Sequence, residues 1–196
     1  MPHQLPGLPA DRDGFRFRGG HVALDLTATL AARAKAQPRE LLDQPADLLR
    51  WLDSAGLPAQ GATEADVQEA RQLREAIYTL ALAQIASSSA AAARGTINRI
   101  AERMPATPQL QPDGSIRLGG SAEAILSTIA REAIILFGTG RAFQIRQCEA
   151  DGCSLLFVDA SRRGDRRWCS MAGCGNRAKL SEFRRRQREM QERTAK

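Results

Sequence analysis

All four cysteines of the chain fall between residues 148 and 174, as Cys148-x4-Cys153, fifteen intervening residues, and Cys169-x4-Cys174. Two short pairs and one connector can wrap a tetrahedron. A Zn²⁺ ion takes four thiolates at about 2.3 Å, with each pair covering one edge. Two disulfides or four unrelated buried cysteines are the alternatives, and the paired clustering argues against both. Neither pair has the Cys-x-x-Cys spacing of a redox motif. Gly152 beside Cys153, and Gly173 and Gly175 around Cys174, permit the tight turns such knuckles need. Four thiolates leave no open coordination position. The predicted ion is therefore structural, one per chain, and fastens a module with little core of its own. Chelation is expected to melt that module before the rest.

Charge follows the same division. The net charge of +6 conceals 14 Lys and Arg against 15 Asp and Glu through residue 140, and 14 against 7 after it. The body is electrostatically bland and the tail is basic, which points to a polyanionic partner. One cluster, Arg162, Arg163, Arg166 and Arg167, precedes Cys169. The segment after Cys174 carries Arg177, Lys179, Arg184, Arg185, Arg186 and Arg188, has no proline, and is predicted to be a helix from near Asn176. Leu180, Phe183 and Gln187 would face the zinc core, while Arg177, Arg184 and Arg188 line another face at intervals of seven and four. A helix launched from a zinc knuckle with arginines outward can meet guanine edges or phosphates. The candidate DNA contacts are Arg162, Arg163, Arg166, Arg167, Asn176, Arg177, Lys179, Arg184 and Arg185. A solvated basic helix that aids solubility or meets a protein is the alternative. Trp168 reads as a plug for the small module rather than a base-stacking platform.

Upstream, residues 1–14 are rich in Pro and Gly without a period and read as a flexible lead-in. Helices are predicted over Val22–Lys35, from Pro45 to the stop at Gly56, and from Thr63, whose spacing to Asp66 resembles a capping box. The SSSAAAARG stretch is a connection, and a short helix follows at Thr96–Arg103. Asp113-Gly114 between alternating runs predicts a β-hairpin with a type I′ turn. Ser121 then caps a helix that Gly138 and Gly140 stop. The fold class is mainly α: a helical domain over 15–140 with one β-hairpin, and a zinc module over 143–190 ending in a helix. His21 and Asp25, one helical turn apart, form a possible ligand site, or else a cap and a satisfied core contact. The body has one central histidine, no cysteine and no phosphate-binding glycine loop, so no enzyme is expected. No apolar run approaches the 18 residues of a membrane span, and the N-terminus has no leader pattern; the expected location is the cytoplasm, with no membrane partner.

The run RRWCSMAGCGNRAKLSEFRRR resembles the CGNR zinc finger, through Cys174-Gly175-Asn176-Arg177, with similarity over about Arg146–Arg188. GHVALDLTATL resembles the opening of the ABATE domain of bacterial stress-induced transcription regulators, where the usual run is closer to LDFVNT. Leu24, Asp25 and Thr29 match it, while Leu26 stands in the Phe place and Ala28 in the Asn place. LLRWLDSAGL and AREAIILFGTGRAFQIRQC are similar to the same domain. The resemblance implies transcription control through double-stranded DNA, with room for a small-molecule effector and a dimer. The alternative is a zinc-stapled protein-interaction or RNA-binding adaptor with a ligand-sensing N-terminal domain. RNA is disfavoured because the finger offers little aromatic stacking surface.

Overall fold

Along residues 10–194, which this computed structural model describes, the chain opens on a hairpin where a flexible lead-in was expected. Strand β1 (Asp11–Arg12) pairs antiparallel with β2 (Phe15–Arg16). Asp13 and Gly14 both have positive φ, +51° and +81°, the backbone that a two-residue mirror-image turn requires. Two aromatics hold it down: Phe15 and Phe17 are buried, and Phe17 stacks on Trp51 at 6.0 Å. The rest of the predicted lead-in, residues 1–9, lies outside the described residues.

Helix α1 (Val22–Thr27) covers six residues rather than the fourteen expected. All six are buried, so the helix threads the core and has no polar face to extend. The hydroxyls of Thr27 and Thr29 donate to the carbonyls of Leu24 and Leu26 at 2.6 and 2.7 Å, a local competition that ends helices. The chain turns into β3 (Leu30–Ala31), which pairs with β4 (Arg39–Glu40) across the loop from Ala32 to Pro38. Helix α2 (Pro45–Ser54) begins on its proline as predicted and buries Leu48, Trp51 and Leu52. Helix α3 (Glu64–Ile85) opens on the predicted box, with Thr63 accepting from Asp66 N–H and Asp66 accepting from Thr63 N–H.

Helix α4 (Ala91–Ala101) starts five residues before Thr96, because the alanines of the supposed connection are strong helix formers. Strands β5 (Thr107–Leu110) and β6 (Ile116–Gly119) make the predicted hairpin. Its turn is not the expected mirror-image type: of the turn residues only Gly114 has positive φ, and Gly114 N–H donates to Gln111 O. Pro112 has no N–H to donate to Ser115 O, as the residue flanking a two-residue turn must, and Gln111 N–H donates there instead. Helix α5 (Ala122–Gly138) is capped by Ser121 and stops at the predicted glycine. A 3-10 turn over Gly140–Gln144 leads to β7 (Ile145–Gln147), which pairs with β8 (Leu156–Val158). A π-turn, Met171–Gly175, runs directly into helix α6 (Asn176–Thr194), at the predicted start.

The body core forms where α1 meets α3 and α5, through residues such as Leu24, Leu26, Leu73, Ile77 and Ile129. Strand β8 belongs to two cores at once. Its alternation sends Leu156 and Val158 into the body and Phe157 into a second cluster with Cys148, Cys169 and Cys174. Val158 N–H donates to Gly19 O at 2.8 Å, so the cysteine module is built onto the body and does not hang from a linker. Gly19 cannot be anything larger: a Cβ there would lie 2.8 Å from Leu24 Cβ and 3.0 Å from the Asp25 nitrogen. Among the described residues no helix is long and apolar enough to cross a membrane.

Candidate metal centre and basic surface

The first knuckle runs from β7 into β8. Cys148 N–H donates to Leu155 O, Cys153 N–H donates to Ala150 O, and Gly152 takes φ +67° to close the turn between them. The second is the π-turn, where Gly175 N–H donates to Ser170 O and the Ser170 hydroxyl accepts from Gly173 N–H. These turns bring the four sulfurs within 4.8 Å of one another. At about 2.3 Å per Zn–S bond a tetrahedral site needs sulfurs roughly 3.8 Å apart, and the cluster is of that size. Cys169 and Cys174 Sγ are 3.5 Å apart, well beyond a disulfide bond. The sulfurs share negative charge unequally. Cys153 is pulled down to about 5, first by its hydrogen bond with Cys169, which is pushed up in turn, and burial pushes Cys148 up. A zinc ion bound there stabilises all four as thiolates, in a closed structural site with one ion per chain.

Cations surround the centre. Arg177 donates to Cys174 Sγ at 3.0 Å, which raises its own basicity. Arg18, which nothing in the sequence connects with the cysteines, reaches across from the body. It pairs with Asp11, and its Nη1 lies 3.1 Å from where a Cβ on Gly173 would stand. Burial works against the charge of Arg18, but Asp11 and then Cys169 outweigh it and raise the pKa. Gly175 is pinned by close approach, since a Cβ would meet Met171 Sδ at 2.9 Å and Trp168 Cε3 at 3.4 Å. Trp168 packs, partly buried, against the cysteine cluster, in the place of a plug.

The predicted DNA contacts separate into two groups. Arg166 donates to the carbonyls of Trp168 and Cys169, with its guanidinium 4.5 Å over the Phe157 ring. Arg167 pairs with Glu149 at 2.6 Å and so ties one knuckle to the other. Asn176 donates to Ala172 O at 3.4 Å, and Arg185 is held between Glu182 and Glu189. Arg162, Arg163, Lys179 and Arg184 are exposed, with no acidic partner among the described residues. The expected packing of α6 against the zinc core is not found. Leu180 and Phe183 are 49% and 59% exposed, because the helix projects away from the centre after its first turn.

His21 and Asp25 are both buried but face different partners. His21 caps α1, accepting from Ala23 N–H at 3.3 Å, and its Nε2 lies 3.5 Å from Glu132. Asp25 accepts from Gly19 N–H at 2.7 Å, and burial raises its pKa to about 7.

Two family models match the chain. The ABATE model, described as "Putative stress-induced transcription regulator", covers residues 20–140, and the CGNR zinc finger model covers residues 144–187. A comparison with curated proteins finds no match. The second model meets the cysteine centre and the first covers the helical body, so the chain belongs to the ABATE family and carries a CGNR zinc finger at the end of that domain.

Proposed function

We propose that this zinc-binding regulator acts in the cytoplasm as a DNA-binding transcription regulator, not an enzyme, with α6 and the loop before Cys169 facing double-stranded DNA. The observation that carries the reading is the set of exposed cations without an acidic partner among the described residues on a helix launched from the metal centre. An α-helix fits the DNA major groove, and such cations lose little internal pairing on meeting phosphate. Arg184 and Arg188 share one face of α6 with Arg177, whereas Lys179 points the other way at helical spacing. Arg184 and Arg188 are therefore the pair that would share one groove.

Fluorescence anisotropy with labelled duplex DNA across a salt series tests this. Replacing Arg184 and Arg188 together by Ala should weaken binding and make the dependence of log K on log[salt] shallower by roughly 2. An unchanged affinity and slope would refute the assignment. A second reading, a protein-binding adaptor, is favoured by the exposed Phe183 and Met190, seven residues apart on another face of α6, with the exposed Leu180 between them and the arginines. Light scattering of the purified chain, with and without Phe183→Ser, distinguishes self-association through that stripe from a monomer that only binds DNA.

A further inference from the structure

We infer that a cleft between the body and the first zinc knuckle is a binding site for a small dianion, such as a phosphate ester or a dicarboxylate. The cavity holds about 320 Å³, the low end of the range for small-molecule sites. Arg16, Lys35, Arg39 and Arg177 line it, from β2, the β3–β4 loop, β4 and α6, and no carboxylate lies on its wall. The neighbouring cavity on the far side of Arg16 and Arg177 differs in this respect: Asp11 lines it and is paired with Arg18.

Charge balance sets the ligand class. A four-thiolate zinc site carries a formal −2, which accounts for at most two of the four cations, and Arg177 already donates to Cys174. Two positive charges remain without an acid. Arg16, Lys35 and Arg39 make no ion pair with a described residue, although like charges gathered at one cleft repel in the absence of an anion.

The wall is held in place at some cost. Ala32, the first residue of the β3–β4 loop, has φ +55°, a left-handed backbone that a residue with a Cβ disfavours. Arg33 is fastened to Glu75 by two hydrogen bonds, and Glu40 to the buried Arg74 by two more. Lys35 and Arg39 therefore stand on a braced loop. The Lys35 stem comes within 3.8 Å of where a Cβ on Gly152 would lie, directly beside the Cys153 knuckle. Ser154, next to Cys153, also lines the cleft.

The site goes beyond DNA recognition and is tested without DNA. Isothermal titration calorimetry of the zinc-loaded full chain uses inorganic phosphate and succinate as probes, against chloride at equal ionic strength. Saturable one-to-one binding of either is expected, phosphate alone indicating a phosphorylated ligand and succinate alone a dicarboxylate. Lys35→Ala with Arg39→Ala should weaken that binding at least tenfold, as should Arg16→Ala in a second variant, while Arg162→Ala with Arg163→Ala leaves it within twofold. Zinc content and far-ultraviolet circular dichroism confirm that each variant is folded. No saturable heat with either probe, or equal binding in the folded variants, overturns the site. If both cleft variants lose duplex DNA affinity in the same proportion as phosphate affinity, the cleft belongs to a nucleic-acid path and the small-ligand reading fails.

Discussion

Replacing Asp25 by Asn should stabilise the fold, and the gain should grow with pH. Asp25 is 4% exposed, and its pKa is raised from 3.8 to about 7, chiefly because burial disfavours the anion, with the Gly19 N–H and the charge of Arg12 working the other way. A carboxyl with a raised folded pKa favours the fold below its unfolded pKa, and this contribution is lost as pH rises through the folded value. At about 1.4 kcal/mol per pH decade, ionised Asp25 costs the fold roughly 4 kcal/mol at pH 8. Asparagine keeps an oxygen to accept from Gly19 N–H and never ionises. The two proteins should therefore be nearly equal only below the unfolded pKa of 3.8, where Asp25 is protonated both folded and unfolded, and the advantage of the variant should widen by roughly 2–3 kcal/mol between pH 5 and pH 8. In a chain of this size that is a melting difference growing by about 5–10 °C. Thermal scans of both proteins in a pH series measure it. Loss of zinc at low pH affects both alike and cancels. Parallel curves would show that burial leaves the Asp25 pKa unshifted, and a variant that loses ground as pH rises would show that the anion is stabilised in the fold; either outcome makes the desolvation argument wrong.

Metal analysis of protein purified without chelator should find one zinc per chain, and substoichiometric metal would remove the structural ion from the account. Because β8 belongs to both cores, chelation should lower the melting of the body together with the finger, in one calorimetric transition. Two separated transitions with an unshifted body would refute that coupling and restore the stepwise melting expected from the sequence. Arg74 is 4% exposed, donates twice to Glu40 and once to Glu75, and reaches Thr29 Oγ1 at 3.3 Å. Arg74→Ala should cost about 3 kcal/mol in urea denaturation by leaving these groups without their cation, and a loss under about 1 kcal/mol would show that water replaces it.

Local chemistry was readable from the chain alone wherever neighbouring residues settle the structure. Cys148, Cys153, Cys169 and Cys174 announce a closed thiolate site by spacing. Thr63 with Asp66, Pro45, Ser121 and Gly138 mark helix ends through bonds to their own backbone. The start of α6 at Asn176 follows from a proline-free run of helix formers. Tertiary packing decided the rest. Val22–Thr27 is apolar enough to be swallowed by the core, so α1 ends when Thr27 and Thr29 turn back on its carbonyls, not when helix propensity fades. The two Asp-Gly pairs are alike on paper. Only the first takes the mirror-image turn, because Pro112 prevents it at the second while the buried Phe15 and Phe17 hold it at the first. Only the folded chain brings Arg18 and Lys35 to knuckles more than a hundred residues away, shares β8 between two cores, and divides the basic tail into arginines that brace the zinc module and arginines left facing water. Spacing along a chain encodes contacts between near neighbours; which distant charges meet is settled when the hydrophobic core closes and leaves the remaining groups no other place to stand.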